Sequence, residues 1–329
     1  MMTEQYDLSS SFQIQHTVST GRVHIPLELL PKQYIDGKVR TGNTERCHIS
    51  YGKQVNKGGH GNITLIRRTP ALSGDLCVKT PHKSEYSLCS EAILQWLASQ
   101  TLKGAGIHGA IPHIYDIFQY AGETRFSMDY IKGVSAVEAV SAAANPDDMW
   151  LQILGQVSLL LGYLEEKIRL DHRDLKADNI WIRPTPVDYS LIVGEIRWRL
   201  RAPFQVVIMD FGFACLGDEE GNAIVSLSDG IVPKIDPCPK EGRDLFQLIA
   251  SMWSIPIIRA RASEAVNEAM KMFLSHRGAS FIDLIHRKLH AHWIYLAVSD
   301  STFSHPPLNP TSLLLKLNRD WKIVDLQRG

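Results

Sequence analysis

The stretch DHRDLKADN occupies residues 171–179 and is followed at once by the short apolar run IWI. A second apolar run, VVIM, leads directly into the tripeptide DFG at residues 210–212. Both polar stretches adjoin predicted strands, and together they carry three oxygen-bearing side chains, Asp174, Asn179 and Asp210. A carboxylate can take a proton from a hydroxyl group, while an amide and a second carboxylate can hold Mg²⁺ on phosphates. The pattern therefore predicts a site for phosphoryl-transfer chemistry.

The two motifs resemble the catalytic and magnesium loops of eukaryotic-type protein kinases, HRDLKxxN and DFG. The alternative is that they are unrelated tripeptides on two loops. The extended first motif, the strand before each motif and their order in the chain all favour the kinase interpretation. Departures from the family pattern elsewhere resemble divergent kinases of large DNA viruses or bacterial effectors.

The composition limits the classes of partner. The chain has 329 residues, 44% of them hydrophobic, which is enough for a large core in one two-lobed unit or two domains. The 35 basic and 35 acidic residues cancel, so a general nucleic-acid or membrane-surface partner is not expected. The apolar runs are far shorter than the ~20 residues of a membrane span, and no signal-peptide pattern opens the chain.

The cysteines are scattered, odd in number and without a CxxC pair. They are Cys47, Cys77, Cys89, Cys215 and Cys238. We therefore expect free thiols in a reducing compartment and a cytoplasmic protein, in the host cell if its source is viral or an effector.

A glycine-rich stretch, VNKGGHGNITLI, resembles the kinase loop GxGxxGxV that covers the phosphates of ATP. Asn56 stands in the place of the first glycine, Gly58 and Gly61 are the second and third, and Ile63 replaces the valine. Glycine lets the backbone approach phosphates closely and present N–H groups to them. The resemblance implies that Gly58, Gly59, Gly61 and Ile63 contact the nucleotide, whereas an ordinary hairpin turn is the alternative.

Lys79 ends the segment LCVK, which resembles the family's VAIK, and would contact the α- and β-phosphates. By the same resemblance, Cys77 would form part of the roof over the adenine ring. Glu91 lies on a helix predicted from about Ser84 to Gln100 and is expected to pair with Lys79. Glu85 is the alternative partner, but it follows Lys79 so closely that the chain has little room to turn. An exposed helix glutamate is the other interpretation of Glu91.

The segment RFSMDYIKG resembles the family hinge, MEYIxG. The resemblance implies that Met128 closes the back of the adenine pocket and that the backbones of Asp129 and Ile131 bond the adenine edge. Trp181 falls where the family has an aliphatic floor for this ring. An indole at that position would narrow or reshape the pocket.

The resemblance also assigns roles within the first motif. Asp174 would orient the substrate hydroxyl and accept its proton, and Lys176 would steady the γ-phosphate. Asn179 and Asp210 would bind Mg²⁺. The DLK form around Lys176 is typical of serine/threonine kinases.

Three further segments carry structural predictions. The pair Asn145-Pro146, followed by two acids, is a strong helix start. Residues 191–199 are expected to form a small hairpin within an insertion. Residues 243–253 are apolar nearly all round and predict a buried helix, in which Asp244 matches the family aspartate that holds the catalytic-loop backbone. Between the DFG motif and this helix there is no threonine or tyrosine, and Ser226 and Ser228 are the only hydroxyl side chains, so control by loop phosphorylation is not expected.

These features predict an α+β, two-lobed protein-kinase-like fold. It would comprise an N-terminal extension (1–45), an N-lobe with a small antiparallel sheet (46–128), a hinge (129–133) and a mainly helical C-lobe (134–329), reduced at its C-terminal end. The expected activity is ATP- and Mg²⁺-dependent transfer of the γ-phosphate to serine or threonine hydroxyls of a protein substrate. A pseudokinase-type nucleotide-binding scaffold is the first alternative, and a small-molecule phosphotransferase is the second.

Overall fold

The structure is a computed structural model that describes residues 27–57, 61–82, 88–217, 223–226, 238–240, 242–276, 279–280 and 309–327. The chain divides into two compact units. The first takes the residues up to Ser99, together with Ile111–Ile131 and Asp210–Gly212. The second takes Gln100–Ala110, Lys132–Met209 and the chain from Phe213 onward.

A closed barrel of seven strands makes up most of the first unit, in the order β1-β2-β3-β4-β5-β7-β6. The strands are β1 (Lys32–Gln33), β2 (Lys38–Thr41), β3 (Thr44–Lys57), β4 (Gly61–Thr69), β5 (Leu76–Pro81), β6 (Ile114–Tyr120) and β7 (Glu123–Asp129). Neighbouring strands are antiparallel except β1 and β6, whose parallel pairing closes the barrel. Side chains alternate across each strand, so Cys47 and Ile49 of β3 are both buried in the core cluster.

The expected combination of a small antiparallel-sheet N-lobe and a mainly helical C-lobe is wrong. The sheet of the first unit is a closed barrel, and closure depends on Lys32 of β1 lying opposite Gln119 of β6. Strands β1 and β2 are only two and four residues long, and they lie within residues 1–45. Such short polar strands carry little periodic signal, and their pairing with a distant strand is not a local property of the sequence.

The second unit contains both helices and small sheets. The α-helices of the described chain are α1 (Cys89–Gly104), α2 (Ala136–Ala142), α3 (Pro146–Ile168), α4 (Arg243–Ser254), α5 (Pro256–Arg261), α6 (Glu264–Phe273) and α7 (Pro310–Lys316). In the described part of the chain, none is both long and apolar enough to cross a membrane. The predicted start of α3 is confirmed, because the Asn145 side chain accepts a hydrogen bond from the backbone N–H of Asp148 and Pro146 opens the helix.

Close packing against α3 builds the core of the second unit. A Cβ atom at Gly162 would lie 2.6 Å from Val193 and 2.8 Å from Pro310. The missing side chain therefore lets a strand end and the start of α7 approach the α3 backbone. The apolar stripe of α3 is buried, including Trp150 and Leu154 at 0% exposure.

The described residues of the second unit form three three-stranded sheets and one two-stranded sheet, in the orders β13-β10-β8, β11-β12-β18, β15-β14-β9 and β16-β17. The strands are β8 (Val134–Ser135), β9 (Leu170–Asp171), β10 (Ile180–Arg183), β11 (Val187–Val193), β12 (Ile196–Ala202), β13 (Gln205–Ile208), β14 (Cys215–Gly217), β15 (Ala223–Ser226), β16 (Ser275–His276), β17 (Ala279–Ser280) and β18 (Asp325–Gln327). This β content is the second reason why the prediction of a mainly helical lobe is wrong. The predicted hairpin is confirmed as β11–β12, which turns at Gly194 and Glu195 with positive φ angles.

The cysteines differ from the expectation of free thiols. Cys215 and Cys238 form a disulfide, whereas Cys47, Cys77 and Cys89 are free and buried. The bonded pair is separated by 23 positions in the sequence. No local pattern marks a pairing at that distance, so the expectation was wrong for these two residues.

Candidate functional site

A buried ammonium group between two carboxylates is the centre of the site in the first unit. Lys79 of β5 donates to Glu91 Oε1 at 2.5 Å and to Asp210 Oδ1 at 2.9 Å. Lys79 and Glu91 are only 6% and 3% exposed, whereas the Asp210 side chain is 33% exposed. The spacing argument preferred Glu91 over Glu85, and Glu91 is the residue that contacts Lys79. Glu85 lies outside the described residues.

Burial and charge oppose each other in this cluster. Burial alone lowers the pKa of Lys79, but the charges of Glu91 and Asp210 outweigh it and raise this pKa above its usual range. Burial raises the pKa of Glu91 to about 7, against the lowering effect of Lys79 and with a smaller contribution from Asp210 in the same direction as burial. Lys79 therefore remains a cation at neutral pH, while Glu91 titrates near neutrality.

Glycines on two sides permit the close contacts of this cluster. A Cβ atom at Gly61 of β4 would lie 2.7 Å from the Thr80 carbonyl oxygen and 3.0 Å from the Lys79 side chain. A Cβ atom at Gly212 would lie 3.3 Å from the Asp210 carboxylate and 3.6 Å from that of Glu91. Asp210 itself has a φ of 61°, a left-handed conformation that non-glycine residues rarely adopt. The backbone after β13 is thus bent where this carboxylate contacts Lys79.

Gln95 connects the helix that carries Glu91 to the barrel. It lies one turn after Glu91 on α1 and is 2% exposed. Its amide nitrogen donates to the Pro112 carbonyl oxygen at 2.9 Å and lies 3.5 Å from the Met128 sulfur. The buried amide is therefore satisfied by a backbone acceptor.

The residues predicted around adenine in the first unit are largely buried. Cys77 of β5 lies opposite Met128 of β7, and they are 2% and 5% exposed. Ile131 is 4% exposed. The Asp129 carbonyl oxygen is 3.7 Å from the Cys77 sulfur, and its carboxylate accepts hydrogen bonds from the His113 N–H and the Tyr115 hydroxyl. The Asp129 side chain is therefore engaged within the unit.

The other predicted nucleotide contacts have separate locations. Ile63 lies on β4, opposite Lys79 of β5, and is half-buried. Trp181 lies on β10 of the second unit, half-buried and opposite Val207 and Ser135. Gly58 and Gly59 are outside the described residues.

A second cluster of predicted catalytic residues lies on the loop after β9. Lys176 donates to Asp174 Oδ2 at 2.6 Å. The Asn179 side-chain nitrogen donates to the Asp174 carbonyl oxygen at 2.7 Å and is 3.3 Å from Asp174 Oδ2. The side chains of Asp174 and Lys176 are 18% and 29% exposed. The structure thus brings the carboxylate, the cation and the amide of the motif together at a partly open position.

One face of α4 holds this loop through its backbone. Asp244 accepts hydrogen bonds from the N–H groups of His172 and Arg173 at 2.7 and 2.8 Å. This contact confirms the role implied for Asp244 by the kinase resemblance. The α4 helix is buried nearly all round, as its sequence predicts.

Two anchoring residues on α4 were not predicted. Gln247 donates to the Arg173 carbonyl oxygen at 2.9 Å and accepts from the Leu175 N–H at 3.3 Å. Ser251 accepts from the Ala177 N–H at 2.9 Å. With Asp244, these polar residues have the i, i+3, i+7 spacing of one helix face, which is the signal that could have identified them in an otherwise apolar segment.

His172 also fixes the loop through both of its ring nitrogens. Its Nε2 is 2.9 Å from the Met209 carbonyl oxygen, and its Nδ1 is 3.4 Å from the Asp174 N–H. These contacts require a proton on Nε2 and a lone pair on Nδ1. The neighbouring Arg173 has a φ of 63°, so the backbone is left-handed immediately before Asp174.

Buried charges surround the entry to the loop. Asp171, Arg243 and Asp244 are 3%, 0% and 8% exposed, and Arg243 is 3.3 Å from Asp171 Oδ2. Burial and the nearby Asp171 carboxylate raise the pKa of Asp244 well above its usual value, although the His172 and Arg173 N–H groups oppose this shift. The loop is therefore anchored by a carboxylate in a strongly charged, water-poor environment.

Asp210 in the first unit and Asn179 in the second each carry an oxygen atom of the type that Mg²⁺ binds. In the described ranges, no group of three or more His, Cys, Asp or Glu side chains could hold a metal ion by itself. Mg²⁺ commonly takes one or two protein carboxylates and completes its shell with waters and substrate phosphates. Asp210 offers a partly exposed carboxylate. The nitrogen of the Asn179 amide faces Asp174, so its oxygen is the atom suited to a cation.

Comparison with known proteins adds no further assignment, because no protein-family model and no curated protein matches the chain.

Proposed function

We propose that this protein is an ATP- and Mg²⁺-dependent phosphotransferase that phosphorylates serine or threonine hydroxyls of proteins. The observation that carries the proposal is the buried Lys79 cation held by Glu91 and Asp210. A fixed, water-excluded cation suits the charge of a nucleotide's phosphates, because electrostatic interactions are stronger where water is excluded.

The three groups of the first unit have separable roles. Glu91 orients the Lys79 ammonium, which would bind the α- and β-phosphates. Asp210 contacts Lys79 and also leaves a third of its side chain exposed, so its carboxylate is accessible to a hydrated cation. Bound Mg²⁺ would neutralise phosphate charge, and the Asp210 carboxylate is a ligand of the kind that it takes.

The loop of the second unit supplies the groups that act on the hydroxyl. Asp174 is a carboxylate fixed by Lys176 and Asn179, with part of its surface open. Such a group can orient a hydroxyl and accept its proton during transfer. Lys176 adds a positive charge suited to the γ-phosphate, and its DLK context favours serine and threonine over tyrosine.

The direct test is transfer of the γ-phosphate from labelled ATP with Mg²⁺, to the protein itself and to generic protein substrates. Asp174→Asn keeps the size and shape of the side chain but removes the proton acceptor. We expect transfer to fall by about 10²–10⁴-fold, the usual contribution of a general base. Asp178→Asn is the matched control, because Asp178 is an exposed aspartate of the same loop, four residues after Asp174, and should retain wild-type activity.

The outcomes separate the alternatives. Loss of transfer in Asp174→Asn but not in Asp178→Asn supports the proposal. Mg·ATP-dependent thermal stabilisation with no transfer would favour a nucleotide-binding scaffold instead. Transfer to small hydroxylated metabolites, with none to protein, would favour a small-molecule phosphotransferase.

A further inference from the structure

The disulfide lies close in sequence and in space to the catalytic loop. Cys215 is three residues after Gly212 and begins β14, while Cys238 immediately precedes Pro239 and Lys240. Both cysteines are 0% exposed and their Cα atoms are 6.5 Å apart. The bond therefore joins the strand after the DFG motif to the residues that lead into α4.

Strand pairing connects Cys215 to the residue before the HRD motif. In the ladder between β14 and β9, Cys215 lies opposite Asp171 and Leu216 lies opposite Leu170. The chain passes directly from Asp171 into His172, so a displacement of β14 would change the strand from which the catalytic loop starts.

Backbone contacts connect Cys238 to the same place. The Lys240 N–H donates to Asp171 Oδ2 at 3.1 Å. A Cβ atom at Gly217 would be 1.6 Å from the Cys238 carbonyl oxygen, so only glycine lets these two backbones approach so closely. The disulfide, the Gly217 approach and the Lys240 hydrogen bond therefore all fix the 238–240 segment beside β14 and Asp171.

The loop anchor follows directly in the chain. Arg243 and Asp244 come three and four residues after Lys240; Arg243 contacts Asp171, and Asp244 holds the His172 and Arg173 N–H groups. A displacement of Cys238 would therefore affect the catalytic loop from two sides, through β9 and through the start of α4.

The other cysteines are poorly suited to redox chemistry. Burial raises the pKa of Cys47 and of Cys77 to about 12, so their thiols carry almost no thiolate at neutral pH. Cys89 is 0% exposed on α1. Cys215 and Cys238 are as buried as Cys89, but they are bonded to each other, so a change in oxidation state is expected at this pair.

We propose that Cys215 and Cys238 are a redox-sensitive pair whose disulfide orders the catalytic loop and supports its activity, and whose reduction loosens it. The effect on activity rests on the proposed function, whereas the effect on loop order does not. Control by this disulfide would take the place of phosphorylation on threonine or tyrosine, neither of which occurs in residues 213–241.

The chemistry balances as thiol–disulfide exchange. One cysteine thiolate attacks a low-molecular-weight disulfide such as oxidised glutathione, forming a mixed disulfide and releasing one thiol. The second cysteine then attacks the mixed disulfide, closes the Cys215–Cys238 bond and releases the second thiol. In the reverse direction a dithiol reductant supplies two electrons and two protons and is itself oxidised to a disulfide. Because both sulfurs are buried, attack requires local opening of the 238–240 segment from β14.

The test compares the full-length protein after equilibration with oxidised glutathione and after reduction with dithiothreitol. Alkylation with mass spectrometry reports the state of each cysteine, and amide hydrogen exchange over residues 170–176 reports loop order. We expect exchange in this segment to be about tenfold faster or more in the reduced protein. Phosphate transfer should fall in parallel and recover on re-oxidation.

Two variants serve as controls. The double variant Cys215→Ser and Cys238→Ser should show rapid amide hydrogen exchange over residues 170–176 after both the oxidising and the reducing treatment. Cys47→Ser should respond like the wild type, because a serine hydroxyl can replace the contact of this thiol with Asp116. Should the double variant not fold, the oxidised and reduced forms of the wild type still provide the comparison.

Each result decides between the two proposals. Equal exchange and equal transfer in the two redox states, or failure of Cys215 and Cys238 to pair under oxidising conditions, would overturn the redox inference. Redox-dependent exchange without transfer in either state would support the loop coupling and refute the proposed phosphotransferase. Redox-dependent exchange with constant transfer would refute control of activity by this pair.

Discussion

Replacing Lys79 by methionine tests the electrostatic account of the buried cluster. Methionine keeps most of the length of the side chain but removes its charge, which leaves Glu91 buried without the ammonium that lies 2.5 Å away. Removing one partner of a buried ion pair typically costs about 3–5 kcal/mol, because the remaining charge is uncompensated. We expect a loss of this size at pH 9.

The size of the loss should depend on pH. In the wild type the pKa of Glu91 is raised from 4.5 to about 7, so the folded state binds more protons than the unfolded state between these values. Its contribution to stability therefore decreases as pH rises through that window and is constant above it. Without Lys79, which lowers this pKa, the window extends above 7. The loss in Lys79→Met should then grow between pH 7 and pH 9 by at most ~2.7 kcal/mol, since one proton gives ~1.4 kcal/mol per pH unit.

Urea denaturation of both proteins at pH 7 and pH 9 measures this difference directly. Lys53→Met is the matched control, because Lys53 is an exposed lysine on β3 of the same barrel. Lys53→Met should change the free energy of unfolding by no more than about 0.5 kcal/mol, and this change should not depend on pH. A loss in Lys79→Met that is the same at both pH values would refute the idea that an uncompensated Glu91 carboxylate causes it.

Two further predictions concern the anchoring of the loop and of the disulfide segment. Asp244→Ala removes the acceptor of two buried N–H groups, each worth about 1–3 kcal/mol when left unpaired, so we expect a lower midpoint in thermal unfolding and slower phosphate transfer. Unchanged hydrogen exchange at residues 172 and 173 in this variant would contradict the anchoring role. Gly217→Ala places a Cβ atom 1.6 Å from the Cys238 carbonyl oxygen and should reduce the yield of the Cys215–Cys238 disulfide on oxidation, measured by alkylation and mass spectrometry. Normal disulfide formation in Gly217→Ala would show that the close approach is not needed for pairing.

Local sequence patterns predicted several elements because their causes are local. Asn145 caps α3 through a hydrogen bond within the same turn, and proline at the first helical position adds a fixed φ angle. The β11–β12 hairpin pairs residues that are close in sequence. The apolar composition of α4 similarly determined its burial.

The kinase resemblance implied a glutamate partner for Lys79, and the spacing along the chain selected Glu91 over Glu85; the structure shows the contact with Glu91. Spacing could not identify Asp210 as a second partner for Lys79, because 131 positions separate the two residues. Gln247 and Ser251 were not predicted because they form hydrogen bonds with the backbone of a loop that is distant in sequence. Polar side chains on a helix usually face solvent, so their presence alone did not indicate this role.

The sequence by itself determined the chemical groups of the site and the local elements that carry them, because motif spacing, helix caps and hairpin turns depend on residues near one another. Only the tertiary structure decided the closed barrel, in which β1 meets β6, and the disulfide between Cys215 and Cys238. Both depend on contacts between segments far apart in the chain. Their formation reflects the balance of loop-closure entropy against packing and hydrogen bonding over the whole unit, which no short stretch of sequence contains.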